Sequence, residues 1–257
     1  MRLTVGMASY NNFTEVFFTI QALRMYQNLS DAEILIIDNF GDPELEKFVT
    51  NQGQGIVRYE RCTDNIGPAY AKNEVFVRAR GETVLCIDSH VMLVPGALDK
   101  IPVTDDLIQG PLVYCDLRNI VTEWKPVWRG HMWGIWGDYC TYDKLPKEPF
   151  EIWGCGGGLY LTKKSSWLGF NPKFKGFGGE EGYIHEKYRK AGRKVLCHPN
   201  LIWMHMFDRK IPYPLNLMDR VVNYIIGFKE IGLDLKPVQE HFGEALYCQA
   251  LLEAEKR

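Results

Sequence analysis

Thr83-Val-Leu-Cys-Ile-Asp88-Ser-His90 is the stretch on which the reading of this chain turns. A short apolar run, rich in β-formers, reads as a buried strand, and this one ends in a carboxylate and an imidazole two residues apart. At a strand tip those two groups can hold one divalent cation against a diphosphate and leave its other coordination positions open. The triplet alone is weak evidence, because a strand-end Asp also serves as a loop cap, so its surroundings must carry the argument.

Upstream, apolar runs over 3–8, 33–38 and 56–60 alternate with helical patterns over 13–28, 43–51 and 68–80. Strands alternating with helices predict an α/β fold, a mainly parallel sheet with helices on both faces. In such sheets ligands bind at the carboxyl ends of the strands. Three of the four runs end in polar residues there: Ser9-Tyr10-Asn11, Asp38-Asn39 and Asp88-Ser89-His90.

Downstream, strands are expected over 107–114 and 117–122, followed over 124–153 by a long ordered loop dense in Trp, Tyr, Gly and Pro. Gly156-Gly-Gly158 leads into a strand ending at Thr162. A helix over 163–168, a Gly-rich turn, a helix over 180–191 closed by Gly192, and strands over 195–198 and 201–205 complete the core. After Pro212 and Pro214 the chain turns helical over 215–231 and 238–255. The division is thus a domain over 1–212 with a helical extension over 213–257 packed on it, the extension being a candidate surface for homo-oligomerisation.

At 257 residues and 46% hydrophobic content the chain can bury a sizeable core. With 30 basic and 32 acidic residues, net −2, it has no bulk attraction for nucleic acid or an anionic membrane, and a nucleic-acid acceptor is not favoured. Seven cysteines, none spaced as CxxC, suggest neither a disulfide framework nor a zinc knuckle. Met1-Arg2-Leu3 runs straight into a strand, and no apolar stretch approaches the roughly 20 residues of a membrane span. The expectation is a cytoplasmic protein without an integral membrane segment.

Trp153-Gly-Cys-Gly-Gly-Gly-Leu-Tyr-Leu and Gly176-Phe-Gly-Gly-Glu180-Glu181-Gly-Tyr-Ile make the pattern specific. Together with Val5-Gly-Met-Ala-Ser-Tyr-Asn11, Asn65-Ile-Gly-Pro-Ala69 with Lys72-Asn73, and Asp88-Ser-His90, the chain resembles GT-A glycosyltransferases of the family 2 type. Its second half is most similar to polypeptide N-acetylgalactosaminyltransferases and chondroitin-type transferases. The resemblance covers residues 3 to about 210.

The resemblance implies a metal-dependent transfer of a hexose or N-acetylhexosamine from a UDP-sugar to an acceptor hydroxyl on a glycan, protein or modified nucleobase. Mn2+ or Mg2+ would sit on Asp88, His90 and a distant histidine matched by His205, with Arg209 and Lys210 available to clamp phosphates. Ala8, Ser9, Tyr10 and Asp38 would receive base and ribose, and Asn65, Gly67, Lys72 and Gly157 would complete the nucleotide side. Glu180 matches the glutamate that binds sugar or acceptor hydroxyls. Glu181 stands where inverting relatives carry an Asp base and retaining ones an Asn, so it fits either a base for inversion, the slightly favoured outcome, or a supporting residue in a retaining site where the donor phosphate helps remove the proton.

Plainer readings stand beside these. Asp38 can cap its own turn, His205 can be a core histidine, and Glu180 and Glu181 can simply favour a helix N-terminus. Trp124, Trp128, Trp133, Trp136, Tyr139 and Tyr142 fit either a lid or acceptor platform or a compact hydrophobic subdomain, with Arg129 and His131 facing an acidic acceptor in the first case. The rival functions are a non-catalytic carbohydrate- or nucleotide-sugar-binding protein of the same fold, and a nucleotidyltransferase. The latter would carry a Gly-rich, Arg-containing turn after the first strand, where this chain has Met7-Ala-Ser-Tyr-Asn-Asn12.

Overall fold

The computed structural model describes residues 1–52 and 55–257. In chain order the first half runs β1 (Leu3–Ser9), α1 (Phe13–Tyr26), β2 (Ala32–Asp38), α2 (Pro43–Gln52), β3 (Val57–Arg61), α3 (Pro68–Arg78) and β4 (Thr83–Asp88). Next come β5 (Val91–Leu93), β6 (Leu107–Gln109), β7 (Leu112–Val113), β8 (Ile120–Val121), β9 (Trp124–Arg129), β10 (Met132–Trp136), β11 (Phe150–Glu151) and β12 (Leu159–Lys163). The last part is α4 (Glu180–Lys190), β13 (Val195–Cys197), β14 (Trp203–His205), α5 (Leu217–Ile231), α6 (Lys236–Phe242) and α7 (Glu244–Lys256).

Eight strands form the central sheet in the order β11-β13-β6-β12-β4-β1-β2-β3. β4, β1, β2 and β3 are parallel neighbours, whereas β12 runs antiparallel between β4 and β6. The period of two explains why these strands are apolar throughout: Ile34 and Ile36 join the cluster holding Val16, Ile20 and Leu23 of α1, while Leu35 and Ile37 face Ala71, Val75 and Phe76 of α3. Each such fully buried side chain contributes about 1.5–3 kcal/mol over leaving it exposed. Because the parallel strands are in register, Ala8 lies beside Asp88 and Ser9 beside Asp38, which gathers the polar strand ends on one edge.

Several boundaries differ from expectation for identifiable reasons. The run 107–114 is two strands in different sheets, since Pro111 has no N–H to donate and breaks the ladder. The aromatic segment opens not as a loop but as the β9–β10 hairpin, with Trp128 opposite Trp133 and Trp124 opposite Trp136. The helix expected over 163–168 is a single 3-10 turn, Lys164–Ser166, after which extended backbone lays the Trp167 ring flat on Phe76, 3.9 Å between centroids. The final helix is divided into α6 and α7 at Gly243, whose φ of 82° a helix cannot continue through.

A second sheet, β5-β14-β7-β8, packs beside the first. α5 supplies Val221, Val222, Ile225 and Phe228 to the same core as the strands. Among the described residues, no helix is long and apolar enough to cross a membrane.

Candidate active site

β4 delivers Asp88 to the carboxyl edge of the sheet, and the chain turns through Ser89 and His90 into β5. β14 pairs antiparallel with β5, His205 opposite Val91, so an imidazole 115 positions away meets His90. The two Nε2 atoms are 2.9 Å apart, and Asp88 Oδ2 lies 3.5 Å from His205 Nε2 and 3.9 Å from His90 Nε2. All three ligand atoms fall within 4.8 Å of one another. Two ligands on adjacent octahedral positions at about 2.1 Å from a cation are about 3 Å apart, so the imidazole spacing suits an ion between them.

Burial, against the pull of Asp88, drives His90 down to about 3, leaving a neutral imidazole with a free lone pair. Burial works against the charge of Asp88 as well, but Lys72 above all, with His205 and His90, outweighs it and holds the carboxyl well below the usual carboxylate range. Lys72 reaches in from α3: its Nζ sits 2.9 Å from Asp88 Oδ1 and donates to the carbonyl of Gly157. Burial disfavours its charge, yet Asp88 keeps the ammonium protonated. One oxygen of Asp88 is thus engaged by Lys72 while the other faces the imidazoles.

Across the cavity α4 begins at Gly179, in the left-handed conformation, and places Glu180 and Glu181 in its first turn. Both are buried, at 2% and 8% exposure, and Glu180 Oε2 has no hydrogen-bond partner. Burial, then Glu181, pushes Glu180 up to about 8, and burial raises Glu181 too, although Lys72 and Arg220 pull both down. Gly157 lets these walls meet: a Cβ there would come within 3.1 Å of Glu181 Cγ and of Tyr160 Oη, and 3.3 Å of Lys72 Nζ.

Between the walls lies a cavity of about 340 Å³. Its lining brings together Ala8, Ser9, Tyr10, Gly67, Lys72, Asp88, His90, Gly157, Glu180, Glu181, His205 and Arg209. Asp38 is not among them. Its Oδ1 accepts from the backbone of Phe40 and Gly41 and its Oδ2 from that of Asp42 and from the Tyr59 hydroxyl, so the residue caps its turn, and the neighbouring Asn39 lines the cavity instead. Asn65 is likewise structural, its amide donating to the Phe174 carbonyl, and Asn73 ties Trp167 and Phe170. Lys210 is exposed and lies off the lining.

Sequence reasoning missed three participants. Tyr160, fully buried with an unpartnered hydroxyl, sits under Gly157. Tyr213 packs edge-on to Tyr10 at 6.1 Å and against Phe177 at 5.5 Å, closing one end of the cavity. Arg220 of α5 is buried and donates to the carbonyls of Phe177 and His131, tying the Gly-rich turn to the hairpin tip. Only the Tyr160 position carried a signal, its place in the Gly-Gly-Gly-Leu-Tyr-Leu run; the other two are read from packing alone. The tryptophans divide: Trp124 and Trp136 line the cavity, while Trp128 and Trp133 pack on Tyr224 and Phe228 of α5.

The profile of the family described as "Glycosyl transferase family 2" matches residues 4–165, which contain β1, β4 and the strand β12 with the glycines that precede it. The chain belongs to glycosyl transferase family 2. No curated protein matches it. Among solved structures, this family 2 chain is similar to GalNAc-T7, solved with UDP, GalNAc and Mn2+, at TM-score 0.69 and 16% identity over 89% of this chain and 48% of that one. It is also similar to S. aureus TarS (0.59, 14%, covering 100% of this chain and 43% of that one). A third likeness is to the mannosyltransferase PcManGT from Pyrobaculum calidifontis, in complex with GDP-Man and Mn2+ (0.57, 13%, covering 99% and 75%). The chain therefore spans about half the length of the first of these and less of the second. These likenesses carry the GT-A fold.

Proposed function

We propose that this chain moves a hexose or N-acetylhexosamine from a UDP-sugar to an acceptor hydroxyl, with Asp88, His90 and His205 holding Mn2+ or Mg2+. The observation that carries the reading is the convergence of one carboxylate and two imidazoles at the tip of β4, opposite a buried glutamate pair. One carboxylate and two imidazoles leave half of an octahedral shell open, which fits a cation that must also meet diphosphate oxygens. When bound, the cation would neutralise the charge that builds on the departing diphosphate. That GalNAc-T7 was solved with UDP and TarS with UDP-GlcNAc supports a uridine donor.

On this reading Ala8, Ser9 and Tyr10 meet the nucleoside at the end of β1, and Arg209 and Lys72 add fixed positive charge on the phosphate side. Glu180 Oε2, a buried polar atom left without a partner on the cavity wall, is suited to a hydroxyl of a sugar, because an unpaired buried polar group is costly until a ligand satisfies it. Glu181 is the base: its carboxylate takes the acceptor proton as the acceptor oxygen bonds to the anomeric carbon, and the carbon–phosphate oxygen bond breaks with its electron pair leaving on the diphosphate. Attack opposite the leaving group gives inversion. A screen of UDP-sugars and GDP-mannose with Mn2+, read by mass spectrometry with the anomer assigned by NMR, tests this. Turnover of a UDP-sugar is expected, and no release of UDP from any donor would reject it.

A further inference from the structure

Trp124 and Trp136 stand between the donor cavity and a second concavity of about 550 Å³, walled also by Tyr114, Arg129, Ile135 and Tyr139. A chain of rings joins the two. The His205 ring is 4.4 Å from Phe207, Phe207 lies near-parallel to Tyr114 at 5.9 Å and 24°, and Tyr114 meets Tyr139 edge-on at 5.3 Å. Trp136 touches Phe207 from the side at 6.4 Å. At the outer end Tyr139 is open to water, 63% exposed, and Phe207 beside His205 is 46% exposed. At the inner end the indole N–H of Trp124, a residue 7% exposed, is buried without an acceptor. Exposed aromatic faces along a concave wall, running into a site with an unsatisfied donor, mark a surface awaiting a ligand.

We infer that this second concavity is the acceptor site and that its occupant is a carbohydrate, one pyranose ring resting on Trp136 and Tyr139; the inference rests on the glycosyl transfer proposed above. The C–H face of a pyranose carries slight positive charge and matches the negative face of an aromatic ring, while its hydroxyls reach the edges. The charge pattern selects against the alternative. Arg129 is the one charged residue on this wall among the described residues, whereas a nucleic-acid strand needs a track of cations beside its stacking rings. Trp124 and Trp136 line both concavities, which places such an acceptor next to the donor cavity.

The test is a glycan array probed with the full chain in the presence of UDP and Mn2+, beside Tyr139→Ala and Tyr142→Ala. Tyr142 is an exposed aromatic close by in sequence, outside the concavity lining. The wild type is expected to retain one or more glycans, Tyr139→Ala to lose about tenfold or more of that signal, and Tyr142→Ala to keep it. Retention of no glycan, equal signal from Tyr139→Ala and wild type, or equal loss in both variants overturns the assignment. So does tight binding of a fluorescent single-stranded oligonucleotide with no glycan retained. Calorimetry of UDP with Mn2+ separates the two levels: UDP binding without glycan binding defeats the acceptor inference alone, and its absence defeats the donor reading beneath it.

Discussion

On the cavity wall built by β4 and β14 the buried charge has an opposite within reach: Asp88 sits 2.9 Å from the Lys72 ammonium and faces two imidazoles. On the wall built by α4 two carboxylates lie buried side by side, and one oxygen of Glu180 has no hydrogen-bond partner. The first wall keeps its carboxylate ionised down to low pH; the second holds on to protons above the ordinary carboxylate range. A site for phosphate chemistry needs both, a fixed anion to grip a cation and a carboxylate whose proton affinity is high enough to accept one from a hydroxyl.

The largest way to break this contrast is at Glu181. Glu181→Gln keeps the shape but removes the proposed base, and turnover should fall by about a hundred-fold to ten-thousand-fold while donor affinity stays nearly constant. Single-turnover kinetics check this, and a variant with full rate would leave Glu181 no role as base. On the other wall, Lys72→Ala strands Asp88 without its cation. Urea unfolding without metal should show a loss of about 3 kcal/mol, and a loss near zero would mean the pair is solvated.

A comparison within the hairpin sharpens the picture. Trp128→Ala removes a ring packed on Tyr224, Phe228 and His241, and should cost about 2–3 kcal/mol of stability. Trp136→Ala should cost less stability and more acceptor use, and the reverse ranking in thermal melts and turnover would contradict the division. The smallest effect concerns pH. A carboxyl whose pKa is raised on folding stabilises below its unfolded value of 4.5 and loses that contribution as pH rises towards about 8. Glu180→Gln in the metal-free protein should therefore flatten the decline of Tm between those pH values, and an unchanged slope would show that Glu180 titrates normally.

Much of this was legible in the sequence because one short-range signal fixed it. Period-two burial and the strand ends Ser9 and Asp88 follow from local pattern, and Glu180 and Glu181 follow from two glycines opening a helix. Asp38 was ambiguous for a physical reason: the same carboxylate suits a ribose or a turn, and three backbone N–H groups in the next four residues claim it. The partner of Lys72 was not legible, since the α3–β4 distance that turns a nucleotide contact into a buried ion pair exists only after the sheet is assembled. Nor was the division of the tryptophans, because which face of the β9–β10 hairpin turns to α5 is set by the packing of a helix far along the chain. Arg220 lay wholly outside pattern reasoning, a basic residue in the first turn of an amphipathic helix whose role depends on two carbonyl groups distant in sequence.

The most direct test of the central claim is calorimetry of UDP binding with and without Mn2+, in the wild type and in His205→Ala. A cation shared by Asp88, His90 and His205 predicts that Mn2+ tightens UDP binding in the wild type and that His205→Ala abolishes the tightening while leaving metal-free UDP affinity unchanged. Equal Mn2+-dependent tightening in both proteins would contradict the account.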